Sequence, residues 1–317
     1  MTCYHPLKGY MVKYREDGQV KKIFCFSRGS IPKSAFDIEM SQVPCGQCIG
    51  CRIDRSRQWA LRCVNEASLW SRNCFITLTY SPENYPVDGS LDYRDFQKFM
   101  KRLRKRFKGV DFQLKNGRLE QPIRFYCCGE YGELLNRPHF HACIFNFDFD
   151  DKYLWSIRKG VLLYRSPSLE ELWPFGFSTI GDVTFESAAY VARYICKKIT
   201  GSMANEYYAD PETGVIRTPE FTRMSNREGI GRRWIEQFID DVYPHDFIVH
   251  SGKRYKPPRY YDAIYDVFDH VGLESVKMRR SERANASPDN SPDRLAVREK
   301  CQLARFGKLK RGYENES

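Results

Sequence analysis

Residues 122–147 read PIRFYCCGEYGELLNRPHFHACIFNF, and this stretch decides the fold. Two apolar runs, about Pro122–Glu130 and His139–Phe147, flank a loop that holds Gly132, Asn136 and Pro138. Turn residues between two strand-like runs predict a hairpin. On a strand, positions i and i+2 point the same way, so His139 and His141 face one side and Phe140 the other. If Glu130 stands opposite either histidine, all three side chains share a face. A one-residue slip in register separates them. A His, His, Glu set with open positions suits Mg2+ or Mn2+ acting as a Lewis acid on a phosphate oxygen.

Outward from the hairpin, a helix over 54–70 (DRSRQWALRCVNEASLW) precedes a strand at Cys74–Tyr80. Ser90 or Asp92 caps a helix in which Phe96, Phe99, Met100, Leu103 and Phe107 recur at i, i+3, i+4 spacing. Its other face carries Lys98, Lys101, Arg102, Lys105 and Arg106, placed to meet a phosphate backbone or solvent. After the hairpin, a strand near Phe177–Val183 leads into a helix over about Phe185–Ile199. This order predicts an α+β fold, an antiparallel sheet with helices packed on it.

On the helix over 185–199, Tyr190, Tyr194 and Lys197 share one face at about 100° per residue. Ala188, Val191, Ala192, Ile195 and Ile199 form the apolar stripe on roughly the opposite side, which leaves the tyrosines to face a cleft. A phenol attacks a phosphodiester once its proton is removed and the phosphate is polarised, and Lys197 can stabilise the negative charge.

The chain of 317 residues carries a formal charge of +11, from 51 Lys+Arg against 40 Asp+Glu. That balance favours polyanionic partners through counterion release. Aromatic residues at 15% add stacking surface for unpaired bases. The stretch 253–265 (KRYKPPRYYDAIY) interleaves both types. No apolar run approaches the roughly 18 residues of a membrane span, and the polar start (MTCYHPLKGYMVKYREDG) lacks a secretory apolar segment. A cytoplasmic protein without a membrane partner is the expectation.

Twelve cysteines in such a chain argue against a disulfide framework. Cys25, Cys74, Cys143 and Cys196 sit among apolar neighbours and read as small buried hydrophobes. Cys45, Cys48 and Cys51, in Pro-Cys-Gly-Gln-Cys-Ile-Gly-Cys, have knuckle-like spacing. Tetrahedral structural Zn2+ needs a fourth ligand, from Cys3, His5 or Cys63, with Cys3 taken as the choice; the alternative is buried reduced thiols. The predicted organisation is a Cys-rich segment over 1–52, a catalytic domain over 53–205, a mostly helical extension over 206–280, and a linker with a basic helical tail over 281–317.

Three motifs occur in order: Phe-Ile-Thr-Leu-Thr-Tyr (75–80), Gly-Glu-Tyr-Gly with Arg-Pro-His-Phe-His (129–141), and Tyr-x-x-x-Tyr-x-x-Lys-Lys (190–198). In this they resemble the His-hydrophobic-His (HUH) rolling-circle replication initiators. The paired tyrosines and Tyr-Val-Ala-Arg-Tyr resemble those of the Microviridae, and the N-terminal cysteine stretch resembles the gokushovirus-type branch. The resemblance covers about 45–200 and carries no catalytic role to 205–317. It implies a sheet of about five antiparallel strands with flanking helices. It also implies metal ligation by His139, His141 and Glu130, with Tyr194 and Tyr190 as nucleophiles. Arg193 and Lys198 are then assigned to DNA binding. The implied setting is the bacterial host cytoplasm, with single-stranded origin DNA and host helicase and polymerase as partners. Two other readings stay open: a transposase or plasmid relaxase with the same chemistry, and a non-catalytic zinc and nucleic-acid binding module.

Overall fold

The computed structural model describes residues 3–109, 112–113, 119–120, 122–132, 136–158, 160–197, 203–210, 214–243 and 245–307. Strands β1 (Leu7–Glu16), β2 (Gln19–Cys25) and β3 (Ala35–Val43) come first, then helix α1 (Ile49–Ala67), β4 (Asn73–Tyr80) and α2 (Tyr93–Arg106). Two short strands, β5 (Phe112–Gln113) and β6 (Leu119–Glu120), precede the hairpin of β7 (Arg124–Tyr131) and β8 (Pro138–Phe145). A second hairpin, β9 (Tyr153–Arg158) and β10 (Val161–Arg165), leads to α3 (Pro167–Leu172), β11 (Gly176–Gly181) and α4 (Phe185–Lys197). Next are α5 (Met203–Tyr208), β12 (Phe221–Met224), α6 (Arg232–Gln237), α7 (Ile239–Val242), β13 (Ile248–His250) and β14 (Lys253–Tyr255). Helices α8 (Arg259–Phe268), α9 (His270–Asn285) and α10 (Pro292–Gly307) close the chain. Among the described residues, no helix is long and apolar enough to cross a membrane.

The described residues divide into two compact units, one from the chain up to Asp54 together with the chain from Arg279, the other from Arg55 to Met278. The second is built on an antiparallel sheet of seven strands in the order β12-β7-β8-β4-β11-β10-β9. The expectation of about five strands is corrected here. Five strands, β12 to β11, form the continuous part, and the β9–β10 hairpin joins β11 through the single pair Tyr164↔Ile180.

Alternation along these strands sorts the side chains onto two faces. One face presents Ile76, Leu78, Phe125, Cys127, Phe140, Ala142 and Ile144, covered by Phe96, Phe99, Met100 and Leu103 of α2 and by Leu169 and Leu172 of α3. The other presents Phe75, Tyr126, Cys128, Cys143 and Phe145, packed with Ala60 and Cys63 of α1 and Ala188, Val191 and Ala192 of α4. Full burial of each large apolar side chain contributes ~1.5–3 kcal/mol.

Asp92, not Ser90, caps α2, accepting from the Arg94 amide at 2.9 Å. Two of the cations expected to face phosphate or solvent serve the fold instead. Arg102 donates to the Leu172 carbonyl at 3.0 and 2.8 Å, and Arg106 pairs with Glu171. The aromatic residues of 253–265 are likewise used internally. Tyr261 is fully buried, Tyr265 stacks on Tyr243 at 4.0 Å, and Arg62 lies 3.9 Å from the Tyr260 ring.

Beneath α1 lies a buried charge pair. Glu66 accepts from Trp70 Nε1 at 3.2 Å and from the Gly231 amide at 2.7 Å, with Arg124 Nε at 3.5 Å. Gly231 has φ +76°, and a Cβ there would stand 2.5 Å from the Tyr261 hydroxyl. Removing one partner of a buried pair leaves an uncompensated charge, so Glu66→Ala is expected to destabilise the protein by about 3–5 kcal/mol. A fall in the chemical-denaturation midpoint checks this; a loss under about 1 kcal/mol would show the pair behaving as a solvated one.

In the first unit, β1 pairs antiparallel with β2 and β3, in the order β2-β1-β3. Long paired strands therefore replace the short turn-rich pieces expected for this segment. The stretch read as the linker, 281–292, is helical as far as Asn285 and then turns through Pro288–Asn290. Its Ser, Asn and Pro content suggests a coil, but Glu282, Arg283 and Ala284 are helix formers that let α9 continue.

Candidate metal and nucleophile site

The register of the β7–β8 hairpin places Glu130 directly opposite His139, and His141 opposite Cys128. On the other side of β8, His141 stands opposite Thr77 of β4. Glu130, His139 and His141 each offer one ligand atom within 4.8 Å of the others. Both imidazoles turn Nε2 toward the same carboxylate oxygen, Glu130 Oε1, each at 2.8 Å.

The outer nitrogens explain that orientation. His139 Nδ1 lies 3.0 Å from the Arg137 carbonyl oxygen, which only accepts, so Nδ1 carries a proton. His141 Nδ1 lies 2.9 Å from the Thr77 hydroxyl. A neutral His139 consequently directs the lone pair of Nε2 at a carboxylate oxygen. Such a contact is repulsive unless a cation is shared or the ring is protonated. Two imidazoles steered by outer hydrogen bonds, plus one carboxylate, are a donor set that fits a divalent ion. Burial raises the Glu130 pKa, but the charge and hydrogen bonds of His139 and His141 outweigh it and hold the carboxyl at about 2. Thr77 went unassigned in the sequence; its signal was its place in the Phe-Ile-Thr-Leu-Thr-Tyr strand, on the face shared by Phe75 and Thr79.

Helix α4 crosses this face. Tyr190 does not look into an open cleft, as the helical periodicity suggests. It is 2% exposed and belongs to the same core as Val191 and Ala192. Its ring meets His141 edge-on at 5.0 Å and 90°, and its hydroxyl donates to Glu130 Oε1 at 3.3 Å. A helix lying flat on a sheet buries more than a narrow stripe, which is why both sets of residues are enclosed. The backbone of Tyr194 and Lys197 lies in α4, while their side chains, and Lys198 altogether, lie outside the described residues. Arg193 is half-buried.

The cysteines converge separately, in the first unit. The thiols of Cys3, Cys45, Cys48 and Cys51 all lie within 4.8 Å of one another. Of the other candidates for the fourth position, Cys63 is buried in the sheet core and His5 pairs with Glu299 at 2.8 Å.

Residues 73–199, which contain β4, the hairpin and α4, match the replication-associated protein ORF2 family. The chain is 34% identical to replication-associated protein VP4 of Bdellovibrio phage phiMH2K, over 84% of this chain and 77% of the relative. It is 33% identical to replication-associated protein ORF2 of Spiroplasma virus 4, over 90% of this chain and 87% of the relative. The chain belongs to the replication-associated protein ORF2 family. A further member, replication-associated protein ORF4 of Chlamydia phage 1, is 29% identical over 70% of this chain and 53% of its own length. These are Microviridae relatives, so the family is that of phage replication. No solved structure matches the chain. The matched segment includes Glu130, both histidines and both tyrosines.

Proposed function

We propose that this protein is an HUH endonuclease that nicks and rejoins single-stranded DNA at a phage replication origin, using tyrosine as nucleophile. The observation that carries the reading is the Tyr190 hydroxyl, 3.3 Å from the carboxylate oxygen on which both imidazoles converge. A phenol beside three metal-type donors has few uses other than attack on a polarised phosphate. Mg2+ or Mn2+ held by Glu130, His139 and His141 would supply Lewis-acid polarisation of the scissile phosphate.

The chain's own residues do the rest. Glu130 accepts the Tyr190 hydrogen bond and orients the phenol. The attacking tyrosine oxygen forms a bond to phosphorus as the 3′ oxygen leaves and takes up a proton. A free 3′-hydroxyl then primes synthesis by host polymerase, with host helicase opening the duplex, while the 5′-phosphate stays on the enzyme. No water enters, so the phosphodiester energy is retained for rejoining. Tyr194, one helical turn from Tyr190, serves as the second nucleophile; Lys197 offsets negative charge, and Arg193 and Lys198 hold the DNA backbone. The setting is the cytoplasm of the bacterial host. A transposase or relaxase would share the chemistry, but the relatives are phage replication-associated proteins, which supports replication.

Incubation with Mn2+ and single-stranded origin DNA labelled on the 3′ side of the nick tests this. Denaturing electrophoresis is expected to show a labelled protein–DNA adduct. Salt-sensitive binding without any adduct, the behaviour of a non-catalytic nucleic-acid binding module, overturns the proposal.

A further inference from the structure

We infer that Cys3, Cys45, Cys48 and Cys51 form a closed, four-thiolate structural zinc site that staples the first unit, independently of the DNA chemistry. Cys45 and Cys51 Sγ are 4.0 Å apart, as are Cys3 and Cys48 Sγ. A tetrahedron with Zn–S bonds of ~2.3 Å has sulfur–sulfur edges of about 3.8 Å. An Fe4S4 cube interposed between the same ligands would hold them further apart, so the spacing suits one ion although the Cys-x-x-Cys-x-x-Cys run also resembles a cluster motif. All four thiols are free of disulfides.

Backbone amides are already aimed at the sulfurs. Cys45 N donates to Cys3 Sγ at 3.2 Å, Cys48 N to Cys45 Sγ at 3.3 Å, and Tyr4 N to Cys48 Sγ at 3.3 Å. Such bonds stabilise thiolates and fix ligand orientation around a metal. Four protein sulfurs complete the tetrahedron and leave no position for substrate, which makes the site structural.

The unit needs such a staple. Its own core cluster consists of Cys3, Cys48 and Cys51 with Tyr4 and Cys45 packed against them. Elsewhere in its sheet, Phe26, Phe36, Ile38 and Met40 remain 65%, 56%, 52% and 74% exposed. Small units that bury this little apolar surface are commonly held by a metal or disulfides. Cys3 and Cys45 are distant in sequence, so the ion would close a long loop onto the start of α1.

Elemental analysis of the full chain, purified without chelator, tests the inference. The His139→Ala/His141→Ala double variant is measured beside wild type, so that zinc at the triad is not counted. Near one zinc per chain is expected in both, lost from Cys45→Ser/Cys48→Ser and kept in Cys301→Ser, which removes an exposed cysteine. Cobalt-loaded wild type should show the intense visible absorption of a tetrahedral cobalt thiolate. Mercurial release of the zinc from wild type should open residues 1–54 to protease while 55–278 resists, a readout that does not depend on the Cys variant folding. Zinc absent from wild type, iron in its place, zinc retained in the Cys45/Cys48 variant, or an unchanged digestion pattern after release each overturns the inference.

Discussion

Replacing His139 and His141 together by alanine is expected to lower origin nicking by more than ~10³-fold while leaving binding of single-stranded DNA nearly unchanged. Two of the three donors disappear, and Glu130 alone cannot hold a divalent ion against water. Phosphate polarisation is worth several kcal/mol, and each ~1.4 kcal/mol of barrier is a factor of ten in rate. Binding rests on other groups. The chain carries a net +11, and salt-dependent affinity follows the number of phosphates neutralised, so the slope of affinity against salt should hold. His141 is 1% exposed, so its truncation also opens a cavity. Thermal unfolding of the variant therefore accompanies the rate measurement. Nicking within tenfold of wild type, in a folded variant, removes the metal role of the pair.

The second large effect concerns the tyrosines. Rolling-circle replication needs one tyrosine to hold the 5′ end while another cleaves the regenerated origin. Side chains four apart on a helix lie about 5–6 Å from each other at Cβ, which lets two phenols serve one phosphate. Tyr194→Phe and Tyr190→Phe are each expected to form an adduct through the remaining tyrosine yet fail in linked cleavage and rejoining. The double variant should lose the adduct by more than ~10³-fold. Phenylalanine keeps the buried Tyr190 ring against His141 and removes only the hydroxyl beside Glu130, so stability should change little. Should both single variants complete the cycle normally, the relay is wrong and Tyr190 only packs. Normal nicking by Tyr194→Phe with a dead Tyr190→Phe reverses the proposed order of cutting, in which Tyr194 cuts first.

By itself the sequence determined what is local. Alternation and turn residues mark the β7–β8 hairpin, the i, i+3, i+4 spacing marks α2, and His-Phe-His puts two imidazoles on one strand face whatever surrounds them. These follow from backbone periodicity, which a few neighbouring residues set. The tertiary structure decided what depends on pairing and packing. Register put Glu130 opposite His139, where a slip by one residue would have turned it to the other face. Packing of α4 enclosed Tyr190, because burial depends on what covers a helix and not on its own pattern. It likewise drew Arg102 onto α3 and the tyrosines of 253–265 into contacts within the fold. The widening of the sheet by β9 and β10, and the arrival of Cys3 beside Cys45, Cys48 and Cys51, join segments far apart in the chain. Such contacts close long loops, and the free energy that favours one closure over another lies in the assembled core, not in any local stretch.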